Sequence, residues 1–128
     1  MNALEMARTA YSSTSPQSAP IRTHRGTEYE VLGRVTYRLR DCAAKQKQDY
    51  VAFVEALAAN RRLWTIFASD LADEKNQLPQ QLRAQLFYLA EFTIQHTSKV
   101  LAGKADVTAL IDINAAVMRG LQQKGDAA

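Results

Sequence analysis

Side chains able to make or break bonds are few in this chain, and they are scattered. Of its 2 histidines, His24 falls in a polar connector and His96 on a helix with Phe92 and Val100 one turn to either side, so no set of metal ligands assembles around it. The 1 cysteine, Cys42, has no partner for an internal disulfide, which fits a reducing compartment. Placed beside Leu39 on an apolar helical seam, it reads as a small packed hydrophobe rather than a reactive thiol. The adjacent carboxylates Asp73 and Glu74 sit in a polar turn, and Asp112 lies off the apolar face of its helix; solvation accounts for all three. Glycines occur singly, so there is no phosphate-cradling loop. Catalytic, cofactor-binding and metal-binding residues are therefore expected to be absent, and the chain reads as an interaction protein rather than an enzyme.

What remains is binding chemistry. Residues 1–40 carry 6 Arg against 3 Glu, whereas residues 41–128 hold 10 basic and 10 acidic side chains, so the whole net charge of +3 belongs to the first third. A basic surface of Arg22, Arg25, Arg34, Arg38 and Arg40 would attract an acidic protein surface or RNA. RNA is the less favoured partner, because only Tyr29 and Tyr37 stand among those arginines to stack on bases. Tyr37 faces away from the seam of Leu39. Tyr88 and Phe92 form an i,i+4 pair outside the main apolar face of their helix, which leaves two accounts open: packing on a second helix, or an exposed binding stripe. Ile113, about 80° or more from Asn114 and Val107 around the last helix, is expected to escape the internal core and join that stripe. Asn114 lies near the middle of an apolar face, where an unpaired carboxamide would cost about 1–3 kcal/mol. It needs a partner on a neighbouring helix or another chain.

These residues must be positioned by helices. Between Arg34 and Ala102 there is no Gly and a single Pro, Pro79, and no alternating β-branched pattern or hairpin turn appears. The chain should be all-α: a small antiparallel helical bundle with one long helix, and a short N-terminal helix on a flexible arm. The arm is placed at 1–24, with a helix over 2–12 and a Ser/Pro connector, the bundle at 25–122, and a frayed tail at 123–128. The long helix is drawn from the common phase of Leu32, Tyr50, Phe53 and Leu57, which survives the polar run Lys45–Gln48 and suggests one helix over 27–59. Such a helix would be roughly 50 Å long, so it must kink near Gln46 or project from the body. Next, Asn60 is read as the cap of a helix burying Leu63, Trp64, Phe67 and Leu71, ended by the polar run Asp73–Gln77. Pro79 opens a helix to about Ala102 with Gly103 as its C-terminal cap, and Asp106 caps the last helix, which runs to about Leu121.

One ordered set of residues adds a resemblance. Ala56-Leu57, Asn60, Leu63-Trp64, Phe67 and Asp70-Leu71, followed by Asn76, Leu78-Pro79 and Leu82-Arg83-Ala84, resemble the flagellar biosynthesis regulator FlaF family of alphaproteobacteria. Met6-Ala7, Ala10-Tyr11, Arg25, Glu28, Val31-Leu32, Arg34, His96, Val100-Leu101, Gly103, Leu110-Ile111, Ile113-Asn114, Val117-Met118 and Gly120-Leu121 extend it along nearly the whole chain. No single piece is specific; their order is. The resemblance implies a cytoplasmic, non-enzymatic protein that supports flagellin synthesis and export, with flagellin as partner and the flagellin regulator FlbT as a second. It leaves two alternatives: an RNA-binding translational regulator of flagellin mRNA, or an adaptor acting only through FlbT.

Composition sets the outer limits. A chain of 128 residues has room for one small domain, and 47% hydrophobic with 23% charged residues is ordinary for a globular protein. No apolar run approaches the roughly 18 residues of a membrane span, so no membrane insertion is expected. Glu5 and Arg8 interrupt the apolar residues at the N-terminus, which lacks a signal-peptide core, and a cytoplasmic location follows as the expectation.

Overall fold

The computed structural model of the chain describes the backbone of residues 24–127 and the side chains of residues 30–120. The helix expected over 2–12, the Ser/Pro connector and Arg22 lie outside them. Four helices follow one another: α1 (His24–Ala44), α2 (Tyr50–Ala72), α3 (Gln80–Leu101) and α4 (Thr108–Ala127). No strand occurs among the described residues. The fold is all-α, as the composition and spacing require.

The order of buried residues along each helix reveals how the four are arranged. On α1 the sequence of layers is Leu32, then Thr36, then Leu39; on α2 it is reversed, with Phe53 and Leu57 first, Asn60 in the middle, and Trp64, Phe67 and Leu71 last. α3 reads like α1, with Leu86 and Ala90, then Thr93 and Thr97, then Val100; α4 reads like α2, with Leu110, Asn114 and Val117. The helices therefore run up, down, up and down, as short connections demand. Two apolar clusters fill the ends of the bundle, one around Trp64 and one around Leu57, and a buried polar layer separates them. The apolar face expected for the Trp-bearing helix is the face that is buried: Leu63, Trp64, Phe67 and Leu71 are all core.

The long helix expected over 27–59 is two helices. Residues 45–49 form a turn in which the N–H of Lys45 bonds to the carbonyl of Cys42 at 3.2 Å and that of Asp49 to Lys45 at 2.9 Å. Asp49 then caps α2, its carboxylate accepting from the N–H of Ala52 at 3.1 Å. Folding back at this point sets Leu39 and Cys42 against Phe53 and Leu57, which no straight helix could do. Tyr50, drawn into the apolar phase by the sequence, is 52% exposed at the start of α2. Asn60 is not a cap either: it lies in the interior of α2, fully buried, because its carboxamide is engaged by α4. His24, assigned to the connector, opens α1, while residues 123–127, expected as a frayed tail, continue α4.

Other punctuation falls where expected. Pro79 is the N-cap of α3 and accepts from the N–H of Arg83 at 2.9 Å. Gly103 takes a positive φ of 74°, and the paired bonds Gly103 N–H to Val100 (3.0 Å) and Lys104 N–H to Lys99 (2.8 Å) close α3 in a Schellman motif. Asp106 accepts from the N–H of Thr108 at 2.6 Å. The Thr108 hydroxyl, and then that backbone bond, hold the Asp106 carboxyl below the usual carboxylate range. Asp41, on the last turn of α1, pairs with Lys45 of the following turn at 3.4 Å, the acid lying first in the favourable i,i+4 order.

Asp70 behaves the opposite way. Partial burial, and then the charge of Asp73, push its carboxyl above the usual range. A raised folded-state value means that the contribution of Asp70 is fully present below the ordinary carboxylate pKa and is lost as pH rises through the raised one. Asp70→Asn should therefore raise the melting temperature at pH 7 and leave it unchanged at pH 3. Thermal melts at the two pH values check this, and a lower melting temperature at pH 7 would show that the carboxylate is stabilising.

Candidate functional site

The centre of the bundle is a hydrogen-bonded polar layer. Trp64 Nε1–H donates to Asn114 Oδ1 at 2.9 Å, and Asn114 Nδ2 donates both to Asn60 Oδ1 at 2.8 Å and to Thr36 Oγ1 at 3.1 Å. Thr36 Oγ1 in turn donates to the Leu32 carbonyl at 2.7 Å, and Thr97 Oγ1 to that of Thr93 at 2.7 Å. Asn114 has thus found its partners within the chain, on α1 and α2. Asn60 Nδ2 and Thr93 Oγ1 share the layer without a protein partner. No one segment of sequence contains this network; it exists only when the helices meet.

Outside the core, the helices are not equally close. α3 packs on α2 and α4 on α1, while α3 and α4 make the least contact of the four adjacent pairs. At one end their seam is closed by His96, whose Nε2 donates to the carbonyl of Asp106 at 2.8 Å. The ring of Phe92 stacks on that of His96, with centroids 5.1 Å apart. His96 therefore marks the flank of α3 turned to the start of α4, and Phe92, Leu89 and Gln85 continue that flank toward the other end. Ala84, Gln85, Tyr88 and Leu89 line an open pocket of ≈ 520 Å³, with Tyr88 66% exposed. On α4, Met118 faces Gly33 of α1, its Cε 3.5 Å from where a Cβ of Gly33 would stand. Ile113 lies about 140° around α4 from Met118, on the flank turned away from α1 and toward α3.

The three residues expected to bind a partner thus have different settings. Tyr88 projects into solvent, Phe92 is half-buried against His96, and Ile113 is half-buried and packs against the Trp64 cluster. The expectation that the core would leave Ile113 alone does not hold, because the cluster reaches further round α4 than the mean apolar face suggests. A second pocket, of ≈ 510 Å³, lies on the other side of α3 between Leu71, Leu78, Arg83 and Phe87. Arg83 is a clamp there: its guanidinium donates to the carbonyls of Leu71 at 2.7 Å and Asp73 at 3.1 Å, satisfying the end of α2. Asn76 helps from the loop, donating to the Asp70 carbonyl at 3.2 Å.

Of the basic surface, Arg34, Arg38 and Arg40 are exposed on α1; Arg25 lies in α1 with its side chain outside the described residues. The three do not form one row. Arg34 and Arg38 point about 120° and 160° away from Arg40 around α1.

Family comparison places the chain. The model of a family described as flagellar protein FlaF matches residues 7–121. The chain belongs to the FlaF family. No curated protein and no solved structure matches it. In this FlaF-family chain, the residues that carried the resemblance are chiefly architectural: Asn60, Trp64 and Asn114 form the polar layer, Asn76, Arg83 and Gly103 close helix ends, and His96 pins α3 to the start of α4. Arg34 and Ala84, by contrast, are exposed and close no helix end. Among the described residues, no group of three or more His, Cys, Asp or Glu could hold a metal ion, and no helix is long and apolar enough to cross a membrane.

Proposed function

We propose that the chain supports flagellin synthesis and export as a cytoplasmic helper that binds flagellin. Unpolymerised flagellin has amphipathic helical ends that cannot bury their apolar faces before assembly, and a groove between two helices is the shape that accepts such an end. Membership in a flagellar family supports the reading. The observation that carries it is the α3–α4 seam, the least contacted of the four adjacent helix pairs, with Leu89 and the exposed Tyr88 on the outer flank of α3 beside it. A partner helix laid along this seam would cover the exposed ring of Tyr88 and the outer edges of Phe92 and Ile113.

Tyr88 is the residue to change, because it contributes to neither apolar cluster, whereas Phe92 supports His96 and Ile113 supports the core. Tyr88→Ser should leave the melting temperature within about 2 °C of the parent and weaken flagellin capture by roughly thirtyfold, the loss typical of an aromatic hot spot. Unchanged capture would move the binding surface off this seam. Recovery of FlbT without flagellin would favour the adaptor reading. Direct action on RNA has less support, since Arg34 and Arg38 diverge from Arg40 instead of tracking a strand.

A further inference from the structure

A cleft on the opposite side of α4 has a different chemistry. It lies between α1 and α4 and measures ≈ 330 Å³. Arg40 enters from α1 and Arg119 from α4, and Tyr37, 72% exposed, stands on the same wall as Arg40. Gly33 and Ala115 line the space with nothing larger than a methyl group, which is what leaves it open. None of the lining residues is acidic. Two guanidiniums are thus brought to one small cleft with no carboxylate among its walls, an arrangement that an incoming oxyanion would relieve.

We propose that this cleft binds the carboxylate of a glutamate or aspartate presented by an acidic peptide segment of a partner. Guanidinium forks match a carboxylate edge with paired, charge-assisted hydrogen bonds, and the phenol of Tyr37 adds a further donor. Thr36 lines the cleft too, but its hydroxyl proton is committed to the Leu32 carbonyl, so recognition rests on the arginines and the tyrosine. The size suits one acidic side chain rather than a helix. A phosphate strand is a poorer fit, because nucleic acid binding draws on several cations in a row and the other exposed arginines of α1 point elsewhere. The proposal stands independently of the flagellin reading, which concerns the far side of α4.

The test uses the full chain and three probes of equal length: a blocked, fluorescein-labelled Glu-Ala repeat peptide, its Gln-Ala counterpart and a U-rich RNA. The Glu-Ala peptide should bind saturably and the Gln-Ala peptide should not. Arg40→Gln and Arg119→Gln should each weaken binding by roughly tenfold or more, the loss expected for a hydrogen-bonded charge partner. Arg34→Gln and Arg38→Gln should change it by less than about twofold. In parallel, the side-chain Nε–H resonances of Arg40 and Arg119 should shift with added Glu-Ala peptide. Equal binding of both peptides, equal losses from all four arginine variants, or no saturable binding would each overturn the proposal. Displacement of the peptide by lower concentrations of RNA would overturn it in favour of a phosphate site. All four arginines are exposed, so circular dichroism should report the same fold in every variant.

Discussion

Trp64→Ala will cost about 3–5 kcal/mol of stability, against the 5–15 kcal/mol that holds a typical domain together. Trp64 is fully buried, packs edge-on against Phe67 with centroids 5.4 Å apart, and sits in the cluster that joins all four helices. Its removal opens a cavity at that junction and leaves Asn114 Oδ1 without its donor. Chemical denaturation should show the midpoint falling steeply. A variant that melts within a few degrees of the parent would mean that Trp64 faces solvent, and the packing described for α2 would be wrong.

Asn114→Ala should be nearly as damaging, for a different reason. The apolar surface lost is small, but Trp64 Nε1–H and the Asn60 carboxamide would both be stranded in the interior. Each orphaned group costs about 1–3 kcal/mol, so a loss of roughly 2–6 kcal/mol is expected. The pair can be isolated with Trp64→Phe, which keeps a six-membered aromatic ring in the core and removes the N–H together with the five-membered ring that carries it. In a double-mutant cycle, Trp64→Phe and Asn114→Ala should be coupled by about 0.5–3 kcal/mol, since they remove the same hydrogen bond. Additivity within about 0.3 kcal/mol would show that the bond contributes nothing. The layer also specifies alignment. Sliding α2 or α4 by one turn would set an asparagine against an apolar cluster, so the network excludes registers that an all-leucine core would tolerate.

Much of the fold was legible because burial repeats at the helical period. Leu63, Trp64, Phe67 and Leu71 announce one face, and Pro79, Gly103 and Asp106 mark helix ends through chemistry local to each residue. The errors arise where one local signal serves two structures. An Asn ahead of an apolar run reads as a cap, yet Asn60 is a buried partner of Asn114, 54 positions away. The run from Lys45 to Gln48 keeps the helical phase by coincidence of spacing, and only the competition between a projecting helix and a packed one reveals the turn. Arg83 was invisible as a clamp because its acceptors, Leu71 and Asp73, come within reach only after the chain reverses. The azimuth of Tyr88 left packing and exposure equally open, and the reach of the core to Ile113 was not readable, since it depends on how far α4 is rotated against α1.

The proposed function has this FlaF-family bundle bind flagellin through one of flagellin's helical ends. Purified chain mixed with purified, unpolymerised flagellin and resolved by size-exclusion chromatography with light scattering tests it most directly. A stoichiometric complex is predicted, lost when the terminal helical segments of flagellin are removed. Separate elution of the two proteins at concentrations of tens of micromolar, or a complex that survives removal of those segments, would contradict it.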